Sequence, residues 1–217
     1  MTRHEAISAP QVDGVVTGPA PRALAAIAQP DCAASIWARE PLARFQSWID
    51  ALNIQHLPRA RLILRPGAVR QVMEQLADAQ GLPPSDERTM LIDDIAALAH
   101  IFASVMDAPF LRLRLDVIAT NACHKFHADV VTARLICTYR GAGTQYGVSV
   151  HGEDPARVFT APAGSPIVFR GHLWPPVAAP QLLHRSPPIE GTGETRLVLV
   201  LDPITDPDHA RRQEFLH

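Results

Sequence analysis

LRLRLDVI, residues 111–118, is the stretch on which the fold turns. Leu111, Leu113 and Leu115 alternate with Arg112, Arg114 and Asp116, a period of two that sets one face against a core and leaves the other polar. This is a strand. Downstream, further strand-like runs follow at 130–140, 145–150, 156–160, 166–170, 180–185 and 195–202, separated by GAGT, APAGSP and PPIEGTGE. No helix-length segment lies between them, which argues against a doubly wound sheet and for a β-sandwich or jelly roll backed by helices.

Upstream, the period is helical. Leu42, Phe45, Ile49 and Leu52 follow Pro41 at helix spacing, with Asn53 at the end. A second helix is expected from about Ala68, with Val69, Val72, Met73 and Leu76 on one face and Gly81 as its stop. A third begins after Ser85 and carries Leu91, Ile95, Leu98, Phe102 and Val105 to about Asp107. The first thirty residues, with Pro10, Pro19, Pro21 and Pro30, show no sustained period. The expected class is α+β, a mainly helical N-terminal half packed on a C-terminal double-stranded β-helix (jelly roll). The expected organisation is one integrated domain with an extended or mobile segment at 1–30, a helical region at 31–108 and a jelly-roll core at 109–217.

A formal charge of −2 and a pI near 6.5 give no broad basic field, so nucleic acid and anionic membrane are not expected partners. A small-molecule substrate or a protein side chain is the default; the sequence is silent on oligomeric state. The apolar run Ile95 to Met106 is too short to span a bilayer and contains His100. Three cysteines, Cys32, Cys123 and Cys137, and no leader pattern make a cytoplasmic location the expectation.

Metal-grade side chains gather in CHKFHAD, 123–129. His127 and Asp129, one residue apart, share a face on an extended backbone. His184 closes a later apolar run, and Arg196 opens the next, twelve positions on. A non-haem Fe(II) site takes two histidines and one carboxylate on one side of the ion, and His127, Asp129 and His184 supply that set. Arg196, inside the barrel, is placed to hold a carboxylate with two prongs. A rival set adds Cys123 and Cys137 to the histidines as zinc ligands, although the spacing matches no recognised zinc-finger pattern.

In carrying an HxD, a distal histidine and a following arginine in that order, residues 110–203 resemble the Fe(II)/2-oxoglutarate-dependent oxygenases. The resemblance implies iron on His127, Asp129 and His184, and the distal carboxylate of 2-oxoglutarate on Arg196. CHKFHAD, RLICTYRGAGT, FRGHLWP and HRSPPIEGTGETRLVLVLD resemble in addition a bacterial family catalogued as domain of unknown function 1826, which implies a link to zinc homeostasis. Gln145 and Tyr146 stand where that family carries an acidic residue and a tryptophan.

Arg134 has opposite parity to Leu135, Cys137 and Tyr139. It is either a second carboxylate clamp or outward-facing, and Tyr139 either donates to a bound acid or packs; both are counted as candidate co-substrate contacts. His124 is expected to point away from the pair, His151 and Glu153 to lie in an exposed turn, and His172 to line a pocket mouth or cap a turn. The expectation is a 2-oxoglutarate-type Fe(II) oxygenase. The alternative is a non-catalytic zinc-binding protein.

Overall fold

The computed structural model describes residues 12–176, 179–208 and 210. Its strands are β1 (Val15–Gly18), β2 (Ala34–Trp37), β3 (Ala60–Leu64), β4 (Phe110–Ile118), β5 (Ala133–Arg140), β6 (Gln145–Val148), β7 (Phe159–Thr160), β8 (Ile167–Arg170), β9 (Leu182–Arg185) and β10 (Arg196–Ile204). The α-helices are α1 (Ala43–Ala51), α2 (Val69–Ala79) and α3 (Asp86–Met106).

The leucines of β4 do face a core. Leu111, Leu113 and Leu115 are buried with Leu197, Leu199 and Leu201 of the antiparallel neighbour β10, and the helices cover this side of the sheet. The large sheet runs β1-β2-β8-β5-β10-β4-β3, antiparallel except for the β1–β2 pair. A small sheet, β7-β6-β9, lies against its other face. Ile136, Val198, Val200, Ile167 and Phe169 from the large sheet meet Tyr146 and Leu182 from the small one in a second core. Alternation along each central strand thus serves two layers: odd positions of β5 and β10 pack on the helices and even positions look between the sheets.

Ser85 caps α3 by accepting a hydrogen bond from the Arg88 amide (3.0 Å), Asp86 and Glu87 complement its positive end, and Asp107 closes it in the left-handed region. By length and composition α3 would suffice to cross a membrane. In the fold it is a core helix, with Leu91, Ile95, Leu98, Ala99 and Phe102 buried.

Two expectations need correction. Residues 15–18 form β1 and 21–28 a 3-10 turn, with Leu24 and Ile27 fully buried, so much of the segment read as having no element is structured; residues 1–11 lie outside the described residues. The first half is also less purely helical than its periodicity implies, because β2 and β3 contribute to the large sheet. A four-residue strand such as β2, buried on both faces, shows no alternation, and β3 is a five-residue edge strand between helices.

Candidate metal centre

His127 pairs with β9 by a two-way bridge: its amide donates to the His184 carbonyl (3.0 Å) and the His184 amide donates back (2.9 Å). The two imidazoles therefore meet side by side, with ring centroids 4.7 Å apart. Past Asp129 the chain is fastened to the end of β8. The amides of Gly171, His172 and Leu173 donate to the carbonyls of Thr132, Asp129 and Val131. A Cβ at Gly171 would lie 2.0 Å from the Val131 oxygen, so a glycine is required for this close approach.

Ligand atoms of His127, Asp129 and His184 all lie within 4.8 Å of one another. His184 Nε2 is 3.0 Å from Asp129 Oδ2, and His127 Nε2 is 3.7 Å from Asp129 Oδ1. Ligands about 2.1 Å from one ion and at right angles are themselves about 3 Å apart, so this spacing suits a shared metal. His127 Nδ1 lies 2.8 Å from the Lys125 carbonyl, which can only accept. The proton is thereby fixed on Nδ1 and the Nε2 lone pair is free for coordination. Asp129 Oδ2 faces His184 without the alignment of a hydrogen bond, and is left buried with no hydrogen-bond partner. A buried carboxylate oxygen without a donor fits a cation.

The electrostatics agree with that reading. Burial drives the Asp129 carboxyl upward, but contacts with His127 and His184, and the charge of Arg134, outweigh it and hold it far below the usual carboxylate range. Asp129 raises the pKa of His127, against the opposing effect of burial. His184 moves the other way, lowered mainly by burial, with Phe169 stacked on its ring at 4.5 Å.

Arg134, read from sequence as either a carboxylate clamp or an outward-facing residue, looks between the sheets, and its guanidinium is engaged by carboxylates of the chain itself. It donates to Asp202 through Nε (2.6 Å) and Nη2 (2.8 Å), and through Nη1 to Asp129. It is a brace for the cluster's carboxylate, in turn braced by Asp202, which sequence reasoning passed over. The parity of β10 pointed to it, since Asp202 is six residues from Arg196 and on the same face.

Tyr139 also departs from expectation. It lies on the helix side of β5, its hydroxyl donating to Asp94 (2.7 Å), which Arg39 also grips with two 2.6 Å bonds. Tyr139→Phe is expected to leave metal and 2-oxoglutarate affinity unchanged while costing about 1–2 kcal/mol of stability, read from a denaturant melt beside a binding titration.

The cysteines do not join the histidines. Cys137 is buried on the same helix side of β5, its Sγ 3.9 Å from Arg39, with burial pushing its thiol up to about 12. Cys123 is exposed, in a left-handed turn whose carbonyl accepts from the Ser186 amide. Among the described residues the four-ligand zinc set is therefore not assembled. His124 turns to the Asn121 carbonyl, and His151 and His172 are exposed.

Among the described residues Arg196 is the largest fully buried side chain. Its Nε donates to the Ala142 carbonyl (2.6 Å), Nη1 to Ser186 Oγ (2.9 Å), and Nη2 reaches the Thr138 and Thr144 hydroxyls at 3.3 and 3.4 Å. Among the described residues no carboxylate forms an ion pair with it. Burial draws its pKa down to about 10, a sign of a cation held without a full counter-charge. Ser186, which Arg196 contacts, is two residues beyond His184, about 7 Å along an extended chain.

No curated protein matches the sequence. Among solved structures the chain is similar to dioxygenase for auxin oxidation 1 from Arabidopsis thaliana in binary complex with 2-oxoglutarate. That likeness has a TM-score of 0.56 at 6% identity, over 91% of this chain and 94% of the other. It shows a shared fold. Weaker likenesses are to the rice dioxygenase for auxin oxidation (TM-score 0.46, 11% identity, 91% and 84% covered) and a Pseudomonas putida prolyl-4-hydroxylase (0.44, 14%, 93% and 99%). The family described as protein of unknown function (DUF1826) matches residues 18–202.

Proposed function

Within the DUF1826 family, to which this chain belongs, we propose that the protein is a non-haem oxygenase, with Fe(II) on His127, Asp129 and His184 and 2-oxoglutarate anchored by Arg196. The convergence of two imidazoles and a carboxylate around an unpartnered buried oxygen is the observation that carries this reading. The iron would couple oxidative decarboxylation of 2-oxoglutarate by dioxygen to oxidation of a second molecule.

The protein's own part is positional. Arg196 takes the distal carboxylate by a fork of donors, while the Thr138, Thr144 and Ser186 hydroxyls hold the fork in one plane. Arg134 and Asp202 fix the orientation of Asp129, and Phe169 shields His184 from water. His127, the most exposed of the three, marks the open side, where a small molecule or a protein side chain is oxidised.

Oxygen uptake tests this directly. Purified protein with Fe(II) should consume dioxygen and convert 2-oxoglutarate to succinate, slowly even without a second substrate. No turnover at full iron loading, across a substrate panel, would refute the reading.

The pH dependence of metal binding follows from His127. Its folded pKa lies above about 6.5, so the metal-free fold gains stability from protonation below that value and loses it as pH rises through the elevated pKa. Metal requires the neutral ring. Affinity for Mn(II), used as an air-stable stand-in, should fall about tenfold per pH unit below the His127 pKa and level off above it. Calorimetry in buffers of different ionisation enthalpy should count the released proton, and pH-independent binding would contradict His127 as a ligand.

A further inference from the structure

The inner face of the large sheet continues past the small sheet onto β4 and β3, where the polar side of LRLRLDVI lies. Register sets Arg112 opposite Asp202, Arg114 opposite Val200, and Arg61 opposite Arg114. Five guanidinium groups, Arg61, Arg112, Arg114, Arg134 and Arg196, therefore share this face, on a chain whose formal net charge is −2.

Arg114 differs from the others that are buried. Arg134 is engaged by Asp129 and Asp202, and Arg196 by a carbonyl and hydroxyls. Arg112 has partners of its own. The Arg114 side chain is only 20% exposed, yet among the described residues it makes no hydrogen bond. Its one ion pair among those residues, to Asp116, is at 3.9 Å. A guanidinium carries five donors, and removing them from water without an acceptor is costly. Burial and then the charge of Arg134 lower its pKa, and Arg61 adds to that repulsion while Asp202 and Asp116 only partly offset it. Arg114 is thus a partly buried, under-compensated cation, one strand from Asp202, which with Arg134 braces Asp129.

We propose that Arg114 recognises the acidic group of the substrate, a carboxylate or a phosphate, and so selects anionic molecules for oxidation at the neighbouring metal cluster. The proposal rests on the oxygenase reading for its chemistry but not for its binding event. Here Arg114 is a specificity residue, whereas Arg196 holds the co-substrate.

Binding of simple probes tests it. Protein saturated with Mn(II) and 2-oxoglutarate is titrated with N-acetylglycine, methyl phosphate and the neutral N-acetylglycinamide, following paramagnetic broadening of the probe protons. At least one anion should bind about tenfold or more tighter than the amide. Arg114→Met should erase that preference and Arg114→Lys should keep much of it. The ranking of the two anions identifies the head group. Equal binding of anionic and neutral probes, or a preference that survives Arg114→Met, would overturn the proposal. So would a preference abolished by Arg196→Met alone, since the probe would then occupy the co-substrate pocket. If 2-oxoglutarate fails to bind while the Arg114-dependent preference persists, the oxygenase reading falls and the anion site stands.

Discussion

Asp129→Ala is expected to abolish stoichiometric metal binding, lowering affinity by more than about a hundredfold, beyond the ten- to hundredfold typical of losing an outer-sphere partner. The carboxylate is the single anionic member of the convergent set, and it sits between both imidazoles. Arg134 keeps its two bonds to Asp202, so the fold should survive with a loss of about 1–3 kcal/mol. That loss has a definite pH signature. Because the folded pKa of Asp129 is strongly depressed, its contribution is complete above the unfolded value of about 3.9 and disappears as pH falls towards the folded one. Stability curves of metal-free wild type and variant should therefore converge in acid. Metal content by elemental analysis provides the first readout, and Cys123→Ser, affecting an exposed thiol outside the ligand set, should retain full loading.

Arg196→Met should separate stability from function. Removing one partner of a buried charged contact typically costs 2–5 kcal/mol, so 2-oxoglutarate affinity should fall about thirtyfold or more while metal loading is unchanged. The metal-free protein should be no less stable than wild type. Without the diacid, Arg196 is a buried cation satisfied only by neutral acceptors, and methionine fills similar space without the desolvation cost. Calorimetric titration with 2-oxoglutarate, paired with a thermal melt, checks both halves. Loss of affinity together with global destabilisation would instead make Arg196 a structural residue.

Much of this arrangement was legible in the chain because alternation fixes facing. The period of two in LRLRLDVI located β4, and the HxD spacing put His127 and Asp129 on one side before any partner was known. His184, at the end of the apolar run that forms β9, then supplied the third member of the cluster. What misled was treating both parities of β5 as candidates for one pocket. Arg134 and Tyr139 are five residues apart and point to opposite layers, so only one of them looks between the sheets. Arg134's true role was hidden because its partner Asp202 comes 68 positions later, and ion-pair choice is set by register rather than by local sequence. Short strands fared worst. β1 and β2 are four residues each and pair in parallel, so neither alternation nor a hairpin turn announces them.

Anomalous diffraction at the iron edge, from crystals grown anaerobically with Fe(II), asks the central question most directly. One peak bonded to His127 Nε2, Asp129 and His184 Nε2, with its open positions toward Arg196, is the predicted result. An absent peak at full iron supply, or one bound elsewhere on the chain, would contradict the account.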